Sequence, residues 1–152
     1  MSYADAFAPA FDAVAAAARP TAGWNRAAVA PAICATLQLA TEGTIACFPD
    51  PPPTFNVPAY IVAWPTTVTY HQPLMGVDEA TLPLLAAVAT EQSARMDDML
   101  NVARWALVND PTLGGLLAFG VVVVVAQRNW RILADVAGAR FLCAELTLEI
   151  RQ

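Results

Sequence analysis

The hydrophobic pattern is most regular in the last third of the chain and in the helix that precedes it. From Glu91 to Asn109, Met96, Met99, Leu100, Ala103 and Leu107 fall on one stripe while Arg95, Asp98, Asn101 and Arg104 lie off it, which predicts an amphipathic helix. Asp110-Pro111-Thr112-Leu113-Gly114-Gly115 then closes that helix in a turn. From Arg140 to Arg151, Leu142, Ala144, Leu146, Leu148 and Ile150 alternate with Phe141, Cys143, Glu145, Thr147 and Glu149. This period of two predicts a half-buried antiparallel strand, one face joining the core and the other carrying carboxylates. The segment Val121 to Leu133 is read as its hairpin partner, with Asp135 to Ala139 as the turn between them. It is apolar on both faces in its Val121 to Val125 run and polar near its tip, at Gln127, Arg128, Asn129, Trp130 and Arg131. A strand apolar on both faces has to be covered on both.

The first half is punctuated by proline. Ser2 and Asp5 have capping-box spacing, and Phe7, Phe11, Val14 and Ala18 repeat at helical intervals until Arg19-Pro20. Asn25 is placed to cap a second helix with Ile33 and Leu37 on its buried face. Pro31 then marks either that helix's start or a kink in it. Thr44 to Phe48 reads as a short strand, and Pro49-Asp50-Pro51-Pro52-Pro53 as a stiff extended arm. Pro58 to Trp64 and Thr66 to His71 are β-prone and interrupted by Pro65, so they are two strands or one bent edge strand, followed by a loop from Gln72 to Val77. Asp78 to Thr90 fits both periods, and Pro83 favours a strand. The fold class expected is therefore α+β. An antiparallel or mixed sheet, with a long C-terminal hairpin packed against one main helix, is joined by N-terminal helices. Residues 1–43 form an N-terminal helical segment and 44–152 an α+β domain, together one compact unit.

Composition changes this picture in one respect. Hydrophobic residues make up 57% of the chain and charged residues 14%, more apolar and less charged than an ordinary soluble monomer. A membrane or a subunit interface has to absorb the excess. The longest uncharged apolar stretch near the Val run, Pro111 to Ala126, is broken by Gly114, Gly115 and Gly120 and falls short of the roughly 18 residues a spanning helix needs. Met1 to Ala18 carries Asp5 and Asp12 and no basic leader, so no secretory signal is read and a cytoplasmic site of synthesis and assembly is expected. With a net charge of −5 and a pI of about 4.6 the chain offers no basic field for phosphates, so sequence-independent nucleic-acid binding is not expected. All eight basic residues are arginine, which fits both a GC-rich coding sequence and the use of Arg at interfaces.

Candidate chemistry is sparse. Ser2 and Ser93 lie in no nucleophile motif, and His71 is the sole histidine. Gly114-Gly115 lacks the lysine of a phosphate loop, and the pairs Asp97 with Asp98 and Asp78 with Glu79 read as solvated acids. Glu145 and Glu149 would sit about 13 Å apart along one strand face, too far to share a substrate bond. Cys34, Cys47 and Cys143 have no zinc-site spacing and read as free buried thiols. No catalytic residue, metal site or cofactor is expected.

The order of elements resembles one known family. An N-terminal helix comes first, and a proline-punctuated segment from Pro49 to Pro58 then leads into the strand Ala59-Tyr60-Ile61-Val62. A strand from Thr81 to Ala89 follows, then a helix ending in Asp110-Pro111-Thr112-Leu113-Gly114-Gly115 and a hairpin whose second member is Gly138 to Ile150. Over roughly Thr44 to Arg151 this is similar to the tail terminator proteins of long-tailed bacteriophages, also described as minor tail or tail-completion proteins. The resemblance implies a virion protein of the tail and neck region, assembled in the host cytoplasm as a ring, by family likeness a homohexamer. The ring would cap the head-proximal end of the tail tube, stop its polymerisation and dock to the head connector or stopper protein. DNA would only pass through its lumen, and no membrane is involved.

Excess apolar surface fits such a heterologous ring interface. The residues expected at subunit or tube contacts are Arg128, Trp130 and Arg131 at the hairpin tip and Pro52, Pro53 and Phe55 in the Pro51 to Val57 arm. Phe141, Glu145 and Glu149 on the last strand complete the set. Six copies at −5 each would carry about −30, suited to a channel through which DNA slides. Two alternatives remain: another head–tail joining or neck protein, or a small intracellular ligand-binding domain or enzyme with Met96, Met99 and Trp64 as pocket walls.

Overall fold

In the computed structural model, residues 23–70, 78–117, 122–125 and 130–151 are described. The helix expected between Ser2 and Ala18, the Gln72 to Val77 loop, His71 and Arg128 lie outside them. The elements, in chain order, are α1 (Arg26–Ala40), β1 (Ala46–Phe48), β2 (Ala59–Val62), β3 (Thr67–Thr69), β4 (Glu79–Val88), α2 (Ser93–Asn109), β5 (Val122–Val125), β6 (Arg131–Ala134) and β7 (Arg140–Arg151). They form an α+β fold with one mixed sheet.

Strands β4 and β7 are its axis. They pair antiparallel without interruption from Glu79 opposite Arg151 to Val88 opposite Leu142. Each long strand is flanked on its outer side by two short strands set end to end. On β4, β2 covers the Leu84 to Ala87 half and β3 the Glu79 to Thr81 half. On β7, β6 covers Arg140 to Cys143 and β5 covers Thr147 to Ile150. The edge strand β1 runs parallel to β2. The described parts of the expected hairpin partner, β5 and β6, both pair antiparallel with β7, and residues 126–129 between them lie outside the described residues. The turn at Asp135 to Ala139 forms as expected, the Asp135 carboxylate accepting the Ala139 N–H at 2.9 Å.

Alternation on β4 and β7 builds the core. Leu82, Leu84, Ala86 and Val88 share one face with Ala144, Leu146, Leu148 and Ile150, beside Tyr60 and Val62 of β2. Both helices lie on that face, α1 over β1 and β2, α2 over β4, β5 and β7. All five residues of the stripe expected on α2 are buried, with Ala106 in addition. The α1 residues Val29, Ala30, Ile33, Cys34 and Leu37 belong to the same core, so the boundary drawn at residue 43 is crossed by continuous packing. Pro31 sits inside α1 on its exposed side, where the carbonyl its missing N–H leaves free can face water.

Both helices end in defined turns, and the first satisfies the last carbonyls of its helix. After α1, the Gly43 N–H donates to Gln38 at 2.9 Å and the Glu42 N–H to Leu39 at 3.3 Å, a Schellman arrangement with Glu42 at φ 54°. After α2, both Asp110 carboxylate oxygens accept the Gly114 N–H at 3.0 Å, while Leu113, Gly114 and Gly115 take positive φ in succession. This drops Leu113 and Leu117 into the core. Thr36 of α1 donates to Asp110 at 3.3 Å, tying the two helices at that corner.

The sheet's second face is only partly apolar. Phe141 and Cys143, read from alternation as belonging to the polar face, are buried there with Ala87 because Phe55, Val57, Leu85 and Leu133 pack over them. Towards the other end this face carries Thr147 and Glu149, half-buried and exposed.

Proline positions explain the break between β2 and β3. Pro83 of β4 accepts the Ala63 N–H at 3.0 Å but has no N–H to return, and Pro65 interrupts the partner. Pairing resumes where Thr66 donates to Thr81 at 2.9 Å.

Two substitutions test this account by urea unfolding. Leu148, fully buried at the centre of β7, should cost about 3 kcal/mol when replaced by alanine. Tyr60, buried and donating to the Met99 carbonyl of α2 at 2.7 Å, should cost about 1 kcal/mol in Tyr60→Phe, which removes the bond and keeps the ring.

Candidate interaction surface

The residues expected at contacts divide into two groups. Pro52, Pro53 and Phe55 belong to an arm that folds over its own sheet. The Phe55 ring meets Phe141 edge-on at 4.7 Å between centroids and Phe48 at 6.2 Å, and the Pro53 carbonyl accepts the Val136 N–H at 3.2 Å. Phe55 and Phe141 are therefore brought together inside the chain, and only the rim of the arm, Pro51, Pro53, Thr54 and Asn56, is exposed.

The hairpin faces outward. Just before β6, on it and on its turn, Trp130, Ile132 and Val136 are 41%, 53% and 83% exposed, and among the described residues β6 pairs with β7 alone. Arg131 reaches diagonally across to Glu145 at 3.7 Å, so these two expected residues meet. An ion pair this exposed adds little to stability. Glu149 lies at the far end of β7, in a shallow polar hollow with Thr67, Thr69 and the cross-strand pair Glu79 and Arg151, which are 3.4 Å apart.

A second apolar surface escaped the sequence reading. Trp105 and Val108 are 65% and 60% exposed on α2 and border a hollow of about 290 Å³ with Asn101 and Arg104. The signal was there, since positions 101, 104, 105 and 108 form a stripe opposite the core stripe. The larger count of core residues on α2 hid it.

Arg26 was also missed, and it organises the N-terminal end of α1. A cation in the first turn opposes the helix dipole, and α1 has no acid there, so tertiary partners must hold it. Its Nη2 donates to the Pro49 carbonyl at 2.8 Å and to Val62 at 3.0 Å, and lies 3.3 Å from the Ala63 carbonyl. That last carbonyl is the one opposite Pro83, which cannot donate to it. Nη1 bonds Asp50 at 2.5 Å, and the guanidinium stacks 4.2 Å from the Trp64 ring centre. Arg26, Pro31, Pro49, Asp50 and Trp64 border a cavity of about 400 Å³. Trp64 thus walls a cavity that neither Met96 nor Met99 lines, both being buried in the core.

Among the described residues no group of three His, Cys, Asp or Glu side chains could hold a metal ion. No helix there is long and apolar enough to cross a membrane. What the surface offers is apolar and aromatic contact area on two separate elements, edged by arginines. No known protein family matches the chain, and no curated protein matches it either.

Arg26→Met should lower unfolding stability by about 2 kcal/mol, because buried carbonyls lose a charged donor. Asp50, exposed by 66% at its side chain, should cost less than about 1 kcal/mol in Asp50→Asn. Urea titrations of the two variants read the difference.

Proposed function

We propose that this chain is a structural subunit of a phage tail. It assembles as a homohexameric ring on the head-proximal end of the tail tube, ends tube polymerisation and docks to the head connector, with DNA passing through the lumen. The observation that carries this reading is the pair of exposed apolar surfaces, Trp105 with Val108 on α2 and Trp130 with Ile132 and Val136 on the hairpin. Two different patches on one subunit suit a heterologous contact, in which one patch of each copy meets the other patch of the next and the series closes around an axis. Aromatic side chains edged by arginine are the usual anchors of such contacts. The resemblance in element order from Thr44 to Arg151 supplies the identity of the assembly, and the net charge of −5 per copy suits a DNA-conducting lumen.

The test is to add the purified chain to growing tail tubes of its own phage and follow tube length and ends by negative-stain electron microscopy. A six-fold cap on one end, with elongation halted, is the expected result. Tubes that keep growing uncapped at saturating protein would overturn the proposal. The double variant Trp130→Ala and Arg131→Ala should raise the concentration needed for capping at least about tenfold, as loss of hot-spot side chains does. Unchanged capping would remove those two residues from the interface.

A further inference from the structure

The cavity beside Arg26 has no part in the assembly proposed above. It holds about 400 Å³, within the roughly 300–1,000 Å³ of ligand sites. Most of its wall is apolar and small or rigid: Ala27 and Pro31 come from the start of α1, Pro49 from the segment after β1 and Trp64 from the segment after β2. Trp64 is 63% exposed, and the Arg26 guanidinium stacked at 4.2 Å from its ring centre holds the indole in place. Two charges border the cavity, and they are engaged with each other. Nη1 of Arg26 is bonded to Asp50, and Nη2 donates to main-chain carbonyls. One donor remains: Arg26 Nε is buried and has no acceptor among the described residues. A buried donor without an acceptor needs an explanation, and a cavity at the same residue supplies one. The electrostatic complement of this wall is a neutral group that brings an acceptor, carried by apolar surface that can lie on an indole. A carboxylate would have to compete with Asp50, and a cation would meet Arg26.

We propose that this cavity binds a proline-rich segment of a partner protein in the polyproline II conformation. A prolyl residue has a carbonyl but no N–H, so it brings an acceptor and no donor that would need a partner of its own. The polyproline helix makes no internal hydrogen bonds, which leaves its carbonyls free to accept from Arg26 Nε. Its rings are apolar and rigid, and they pack on Trp64 and against the small wall that Ala27 provides. Aromatic-lined grooves recognise proline-rich segments in this way, and a preformed helix loses little conformational freedom on docking. Arg26 thereby has two tasks. Its Nη atoms hold α1 to Pro49, Asp50 and Val62, and its Nε reads the ligand. The site uses neither the α2 patch nor the hairpin patch, so peptide binding and tube capping are tested separately.

The full chain is titrated into fluorescein-labelled hexaproline amide and binding is followed by fluorescence anisotropy. Saturable binding with a Kd below about 1 mM is expected, and a labelled Gly-Ser peptide of the same length, which has no rings, should bind at least about tenfold more weakly. Trp64→Ala should weaken hexaproline binding at least about tenfold, as loss of an aromatic anchor does. Ala27→Leu fills the cavity from an exposed position of α1 with another good helix former, so it should abolish binding while the urea midpoint stays unchanged. The absence of saturable binding, an affinity unchanged in Ala27→Leu, or equal affinity for labelled hexaglutamate amide would each overturn the proposal. So would self-association of the peptide-free chain that Trp64→Ala abolishes, a result that assigns the cavity to the Pro51-Pro52-Pro53 run of a second copy.

Discussion

The uninterrupted pairing of β4 with β7 is the constraint on which the rest of the structure depends. Both strands alternate, and their register aligns the large residues of each on one face, Leu82 and Leu84 beside Leu148 and Leu146. That face is wide enough to carry two helices side by side. The shorter strands occupy whichever half of the long pair their own length can reach. A sliding of one residue between β4 and β7 would turn the apolar set of one strand away from that of the other, so burial and register enforce each other.

Elements whose residues carry their own period were legible in the sequence. Strand β7 and α2 with its Met96 to Leu107 stripe form where the pattern places them, and β4, whose residues fit both periods, is the strand that Pro83 favoured. What sequence could not reveal arises from contacts between distant residues. Nothing local to Phe141 or Cys143 says that Phe55 will fold back over them, and without that arm both would sit on a polar face. Arg26 is similar: its partners lie at Pro49, Asp50, Val62 and Ala63, so only the oddity of a cation opening a helix hinted at it. Of the expected contact residues, Arg131 on β6 and Trp130 just before it are exposed, whereas Phe55 and Phe141 are engaged with each other.

This division bears on how such an apolar chain distributes its surface. The arm is committed to its own sheet, while among the described residues α2 and the hairpin each carry exposed apolar side chains. The conformational cost of building a contact between copies is small when both patches sit on regular elements held by the core, since little has to be ordered on association. A helix and a strand fixed to the same sheet also keep a constant angle to one another, and a constant angle is what any closed arrangement of identical copies requires.

Pro83 has one more effect. Its carbonyl points toward Ala63, so the side of the residue that lacks a donor also points there, into the gap between β2 and β3. Were β4 to pair upside down, that donorless edge would confront β7 and open a hole in the longest ladder of the molecule. The ring of one proline therefore discriminates against a mispaired chain, harmless in the native arrangement and disruptive in its mirror partner.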